Sequence, residues 1–369
     1  MKITRLEPLL VDRCLLVRVH TDAGLIGLGE CGLWAHHPEV ATAITELADY
    51  FVGKPAGLME HHYQAITRDA HFGGPVLAAA LSGIDIALWD LLGQETGKPV
   101  HALLGGAVRQ KVRVFAHVTG GTVDEHVACA LRAIADGYTS LRVMPFLANW
   151  EETTPTRYIG AAVEISGRVR EAVGMEIDLG VELHRNFGPE ETIVLAREIA
   201  PFHILYLEDP VAPESLEALR YVAQHVDVPI AAGERLWNLF GFAELLATRT
   251  SAWIRPDLSL AGGFTQCRKI AGMAEANFVK VFPHLMGSQV NLAAFVQFAA
   301  ATPNYVLMEG QATVLDDLVD HPLSVVDGSI TVPERPGIGL ALRDEMLERY
   351  PYRPHRVAPP LRPDGSVAH

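Results

Sequence analysis

The stretch IDLGVELHRNFGPEETIVLAREIAPFHILYLEDP, residues 177–210, holds the unit that decides the fold. IDLGVELH is a short apolar segment ending in polar residues, which reads as a strand. PEETIVLAREI then carries apolar residues at helical spacing, and ILYLEDP is a second apolar segment ending in acid. Asp178, Glu182 and His184 alternate along the first segment, so all three share one strand face.

The same unit recurs on both sides. KVRVFAHV (111–118), YTSLRVMP (138–145), VPIAAGER (228–235), AWIRPDL (252–258), FVKVFPH (278–284) and NYVLMEG (304–310) bring the segments to eight, each followed by a stretch readable as a helix. Strands alternating with helices imply parallel βαβ units, and eight of them imply a closed (β/α)8-type barrel, an α/β fold. Glu182, Glu208, Glu234, Asp257, His284 and Glu309 stand at successive segment ends, at steps of 26, 26, 23, 27 and 25 residues. A barrel of about 250 residues allows roughly 30 per unit, and its active site forms at the carboxyl ends of the strands. These six side chains are therefore expected at one mouth.

The flanks read differently. LLVRVHTDAGLIGLGECG (15–32) is a hairpin turning at Asp22-Ala23-Gly24, and PVLAAALSGIDIALWDLLGQETG (75–97) is a strong apolar helix closed by Gly97. Residues 1–110 are thus expected to form an α+β capping domain and 111–322 the barrel. The strand and turn chemistry of 323–369 is expected to return to the cap.

The bulk numbers exclude some partners. A formal charge of −14 over 369 residues argues against nucleic acid or an anionic membrane. Cys14, Cys31, Cys129 and Cys267 are scattered, without a metal-knuckle or disulfide spacing. The N-terminal MKITRLEPLLVDRCLLVRVH alternates like a strand and lacks the apolar run of a signal or span, so a cytoplasmic protein is expected.

Three carboxylates on consecutive strands, Glu182, Glu208 and Glu234, make a hard oxygen site suited to Mg2+. Asp257 beside His284 would fix the imidazole tautomer and raise its basicity, as a general base requires. His184 reads equally as a fourth ligand, a proton donor or a packed side chain. Asp178 lies about 13 Å lower on its strand, toward the barrel floor.

With GIDIALWDLLGQETGKPVHALLGG, LEDP, GER, RPDLSLAGGFTQC, PHLMGS and MEG in this order, the chain resembles the enolase superfamily. The likeness is to its mandelate-racemase-like subgroup, and there to sugar-acid dehydratases of the galactonate and mannonate type. It runs from TDAGLIGLGE to PGIGLAL. The resemblance implies Mg2+ on Glu182, Glu208 and Glu234, a His284–Asp257 base, Glu309 against the substrate carboxylate, and His184 as general acid. It implies cap loops closing over the mouth, for which CGLWAHHPE and RDAHFGG are the candidates, with Trp34, His36, His37 and His71 as substrate contacts. It also implies a homo-oligomer and a small hydroxy-acid or acid-sugar substrate. Two departures stand out: Glu182 replaces the usual aspartate, and Arg142-Val143-Met144 replaces a Lys-x-Lys, leaving Arg142 as a substrate contact rather than a base. The implied reaction is dehydration of an aldonate to a 2-keto-3-deoxy acid. Epimerisation on the same scaffold and a non-catalytic barrel are the alternatives.

Overall fold

The structure, a computed structural model, describes residues 1–310, 315–359, 361–362 and 364–367. Its centre is a ring of parallel strands: β4 (Lys111–Val118), β5 (Ser140–Val143), β6 (Asp178–Glu182), β7 (Tyr206–Glu208), β8 (Ile230–Ala232), β9 (Trp253–Ile254), β10 (Lys280–Val281) and β11 (Met308–Glu309). Each pairs with the next through β10, and β11 returns to β4. The last seam closes just before β11, where Val281 N donates to Asn304 O (2.9 Å) and Val306 N to Val281 O (3.1 Å). All eight expected segments are strands of this barrel.

The outer helices are α5 (Val123–Ala135), α6 (Pro155–Val173), α7 (Pro189–Ile199), α8 (Leu216–Ala223), α9 (Leu239–Thr248), α10 (Gly263–Ala276) and α11 (Gln289–Ala301), one after each strand from β4 to β10. The expected helix after β11 is absent among the described residues. A 3-10 turn at Asp316–Leu318 follows, then β12 (Ser329–Thr331), which runs antiparallel to the lower half of β4. The reason is chemical: HPLSVVDGSITVPERPG has turn formers and β-branched residues but no apolar stripe at helical spacing.

The cap is a meander of β1 (Ile3–Val11), β2 (Cys14–Thr21) and β3 (Ile26–Cys31), covered by α1 (His37–Phe51), α2 (Met59–Asp69) and α3 (Pro75–Thr96). The short α4 (Val100–Leu103) leads to the barrel and is tied to α11, where Gln297 Oε1 accepts from His101 N at 2.9 Å. α3 is long and apolar enough to cross a membrane, but 78% of its apolar window is buried. It approaches β3 so closely that a Cβ at Gly29 would strike the Gly83 carbonyl. Two buried acids on α3 reach the other parts of the chain. Asp85 accepts from Thr265 N at 3.0 Å, and Asp90 accepts from Leu28 N (2.9 Å) and Ile338 N (2.8 Å).

Inside the ring an aromatic floor is formed by Phe115, Tyr206, Trp253 and Phe282. Gly180 opposite Tyr206 leaves room for the ring, since a Cβ there would run into it. This floor fixes the height at which polar side chains emerge at the mouth.

Candidate active site

Two arginines lie directly on the aromatic floor. The Arg142 guanidinium sits 4.8 Å from the Phe115 centroid, and that of Arg255 sits 4.3 Å from Phe282. Both are buried, Arg255 at 0% exposure, so their charges must be met within the protein. Strand ends supply the partners. Arg142 Nε lies 3.0 Å from Glu182 Oε2, Nη1 2.8 Å from Glu208 Oε1, and Nη2 2.8 Å from Glu309 Oε1. Arg255 Nε lies 2.9 Å from Glu208 Oε1, and its Nη2 lies 2.9 Å from Glu309 Oε2.

Glu182 and Glu208 are in register on β6 and β7, and ligand atoms of Glu182, Glu208 and Glu234 all lie within 4.8 Å of one another. Glu182 and Glu208 each direct one oxygen to a guanidinium, while Glu234 meets Arg185 through Oε1 and Arg255 through Oε2 at 3.8 Å. Glu208 Oε2 is buried with no hydrogen-bond partner among the described residues. A buried anionic oxygen without a donor is costly, and a hard divalent cation would satisfy it. The donor set fits such an ion. Burial pushes Glu182 and Glu208 upward against the pull of the arginines. For Glu309, burial is outweighed by Arg142 and Arg255, which hold it well below the usual carboxylate range.

The pair expected at the ends of β9 and β10 forms. His284 Nδ1 lies 2.8 Å from Asp257 Oδ2, while Asp257 Oδ1 accepts from Ser259 N (2.8 Å) and Oγ (2.5 Å). With Nδ1 engaged, Nε2 is the ring nitrogen left for the cavity that His284 lines. Burial alone would lower its pKa; the Glu234 charge and the Asp257 hydrogen bond outweigh it and raise it to about 9. His184 lines the same cavity from a left-handed backbone (φ 49°), with Nε2 2.9 Å from Arg185 Nη2. Burial, then the Arg185 charge, lower its pKa to about 4.

Of the expected substrate contacts, Arg142 and Glu309 line the cavity and His71 does not. Arg142 is turned into the carboxylates because a buried cation takes the acids within 3 Å. Glu309 has both oxygens committed, Oε2 also accepting from Leu285 N at 3.1 Å, so it braces the arginine layer. His71 is exposed and outside the cavity lining; its turn runs toward Trp237, which lies 3.8 Å from a Cβ built on Gly73. Asp178 sits low on β6 and pairs with Arg113 at 2.6 Å. Tyr158 bonds Glu191 within an aromatic cluster on Trp150 and Phe187.

The cavity is about 540 Å³ and is closed on the cap side by residues including Arg13, Glu30, Trp34, His37 and Arg353. The sequence reading passed over Arg255 and His117, whose Nδ1 is 2.9 Å from Arg142 Nη2. His117 carried a usable signal, being the polar end of the first barrel segment, KVRVFAHV.

A closed barrel under an α+β cap, with three strand-end acids and a His–Asp pair at one mouth, defines a class: cap-and-barrel enzymes whose polar groups meet at the barrel mouth. The comparisons agree. Residues 125–346 match the enolase C-terminal domain-like family, and 9–105 match the N-terminal domain of mandelate racemase / muconate lactonizing enzyme. The chain is 33% identical to the D-galactonate dehydratase of Pectobacterium atrosepticum and 36% identical to that of Xanthomonas euvesicatoria, with full coverage of both chains in each case. Among solved structures, an enolase from Agrobacterium radiobacter, a candidate galactarate dehydratase with bound Na and L-malate, superposes with a TM-score of 0.93. It is 27% identical, covering 100% of this chain and 99% of that one. This chain belongs to the mandelate racemase-like branch of the enolase superfamily. It is an enzyme of the dehydratase class, a carbon–oxygen lyase.

Proposed function

We propose that this enzyme dehydrates an acid sugar of the aldonate kind, with Mg2+ held by Glu182, Glu208 and Glu234. The observation that carries the reading is the 2.8 Å His284–Asp257 bond, opening on the cavity that His184 also lines. When bound, Mg2+ supplies a charge that steadies negative charge on the substrate carboxylate. His284 Nε2, its ring oriented by Asp257, takes the proton from C2. The bond from C3 to its hydroxyl then breaks, and His184 gives that oxygen a proton so that it leaves as water. The resulting enol becomes the 2-keto-3-deoxy acid.

In the substrate-free protein the two histidines stand the other way round, His284 favouring its charged form and His184 its neutral form. Loading the site must therefore lower the first and raise the second. Mg2+ on Glu234 would offset the charge that raises His284, and an incoming carboxylate beside His184 would raise His184.

The test is a panel of aldonates and diacid sugars, assayed for 2-keto-3-deoxy product in H2O and D2O. Turnover is expected for at least one acid sugar, and His184→Asn or His284→Asn should each lower it about 10²–10⁴-fold. Deuterium in recovered, inverted substrate with no keto acid would instead establish epimerisation. Full dehydration by His184→Asn would remove that residue as the acid.

A further inference from the structure

The motif GLGECG brings β3 to the barrel mouth, where Glu30 is 2% exposed and has no ion-pair partner among the described residues. Four donor contacts hold it instead. Ser288 N donates to Oε1 (2.9 Å) and Oε2 (3.1 Å), Ser288 Oγ to Oε2 (2.7 Å), and Asn291 N to Oε2 (3.1 Å). Ser288 is the N-cap of α11, so a cap carboxylate completes the start of a barrel helix, where the helix dipole favours an anion. Gly287 (φ 133°) lets the loop close on Glu30, because a Cβ there would strike the carboxylate.

From this anchor the bonds run to the base. Asn291 Nδ2 reaches Ser259 Oγ at 3.3 Å, and Ser259 binds Asp257 Oδ1, whose other oxygen orients His284. A second tie comes from Gly32 N, which donates to Ser259 O at 2.7 Å. The end of β3 thus grips both loops that carry the pair: the one after β9 through Ser259, and the one after β10 through Ser288. Every polar side chain along this route up to Asp257 is buried.

We infer that Glu30 is a positioning residue for the His284–Asp257 pair, setting from the cap the register between the two loops that carry them. The inference rests on the proposed reaction for its kinetic readout. Misplacement of a reacting group by about 1 Å can cost on the order of 10²-fold in rate, so a shift too small to disturb folding should be visible.

Two variants test it. Glu30→Gln keeps the shape but replaces an accepting oxygen with an amide that repels the Ser288 or Asn291 donors. Asn291→Ala removes the bridge to Ser259 together with the Nδ2 bond to Met286 O (2.5 Å), and leaves its backbone N–H on Glu30. Each is expected to lower kcat roughly 10–100-fold with KM and melting temperature nearly unchanged. The double variant should lose little more than the worse single, since residues in one network do not act independently. The His284 Nδ1–H resonance of the substrate-free protein, assigned by its absence in His284→Asn, should shift in both. Wild-type kcat in both variants, multiplying losses, or an unmoved resonance would each overturn the inference. A shifted resonance in a protein that turns over no acid sugar would leave the positioning intact and remove the proposed reaction. Should Glu30→Gln fail to fold, Asn291→Ala carries both readouts alone.

Discussion

Arg142 is the residue on which the charge balance of the mouth turns. It contacts three acids, and the longer Glu182, standing where the family resemblance calls for aspartate, is one of them at 3.0 Å. Removing one partner of a buried ion pair costs about 3–5 kcal/mol. Arg142→Met should lose about that much in metal-free urea unfolding and recover part of it when Mg2+ is added. Equal losses with and without Mg2+ would show that the acids gather no cation. A second expectation concerns His284, whose pKa of about 9 depends largely on the Glu234 charge. Mg2+ bound by Glu234, as proposed, would neutralise that charge, so the His284 midpoint, followed by NMR of the ring, should move down from about 9. At this scale the sequence was legible where spacing carried the information. The strand-end acids and the His–Asp pair followed from intervals alone. The arginine layer did not, because Arg142 and Arg255 find their partners across four strands, and no local spacing encodes that contact. The Arg142–Glu309 pair was invisible for the same reason: in the barrel each neutralises the other from distant strands.

At the level of elements, β3 and α3 pack backbone against backbone in the cap. Gly29 faces the Gly83 carbonyl, so Gly29→Ala forces a backbone shift. It should cost about 3 kcal/mol, at the upper end of usual overpacking penalties, in an equilibrium urea titration. A cost below about 0.5 kcal/mol would mean that the two elements slide apart easily. The barrel strands themselves were readable even where only two residues pair, as in β9 and β10, because each segment is apolar and bounded by polar residues. The misjudged element is the helix expected directly after β11, while the strand chemistry read for 323–369 is present as β12. There periodicity was weak, and pairing to a distant strand decided the outcome, giving β12 on β4.

Over the whole molecule, Asp90 on α3 joins the cap sheet to the C-terminal segment through Leu28 N and Ile338 N. Burial raises its pKa to about 7, from an ordinary value near 3.8. A carboxyl raised in the folded state binds a proton that the unfolded chain has already released. Its contribution to stability is therefore complete below about pH 4 and is lost as pH rises through about 7. Unfolding free energy should fall more steeply between pH 5 and 8 in the wild type than in Asp90→Asn. Parallel slopes would place the proton elsewhere.

The pairing of β12 with β4 also sets a timetable. Ile330 lies beside Val112, 218 positions later in the chain, and the opposite edge of β4 needs β11. During synthesis the first barrel strand is therefore soon joined by β5 but made long before β11 and β12, and Asp90 waits longer still for Ile338. Contacts this distant in sequence slow folding and leave strand edges open meanwhile. A nascent chain halted before Asp327 would hold the ring closed by β11 but leave the lower half of β4 without β12.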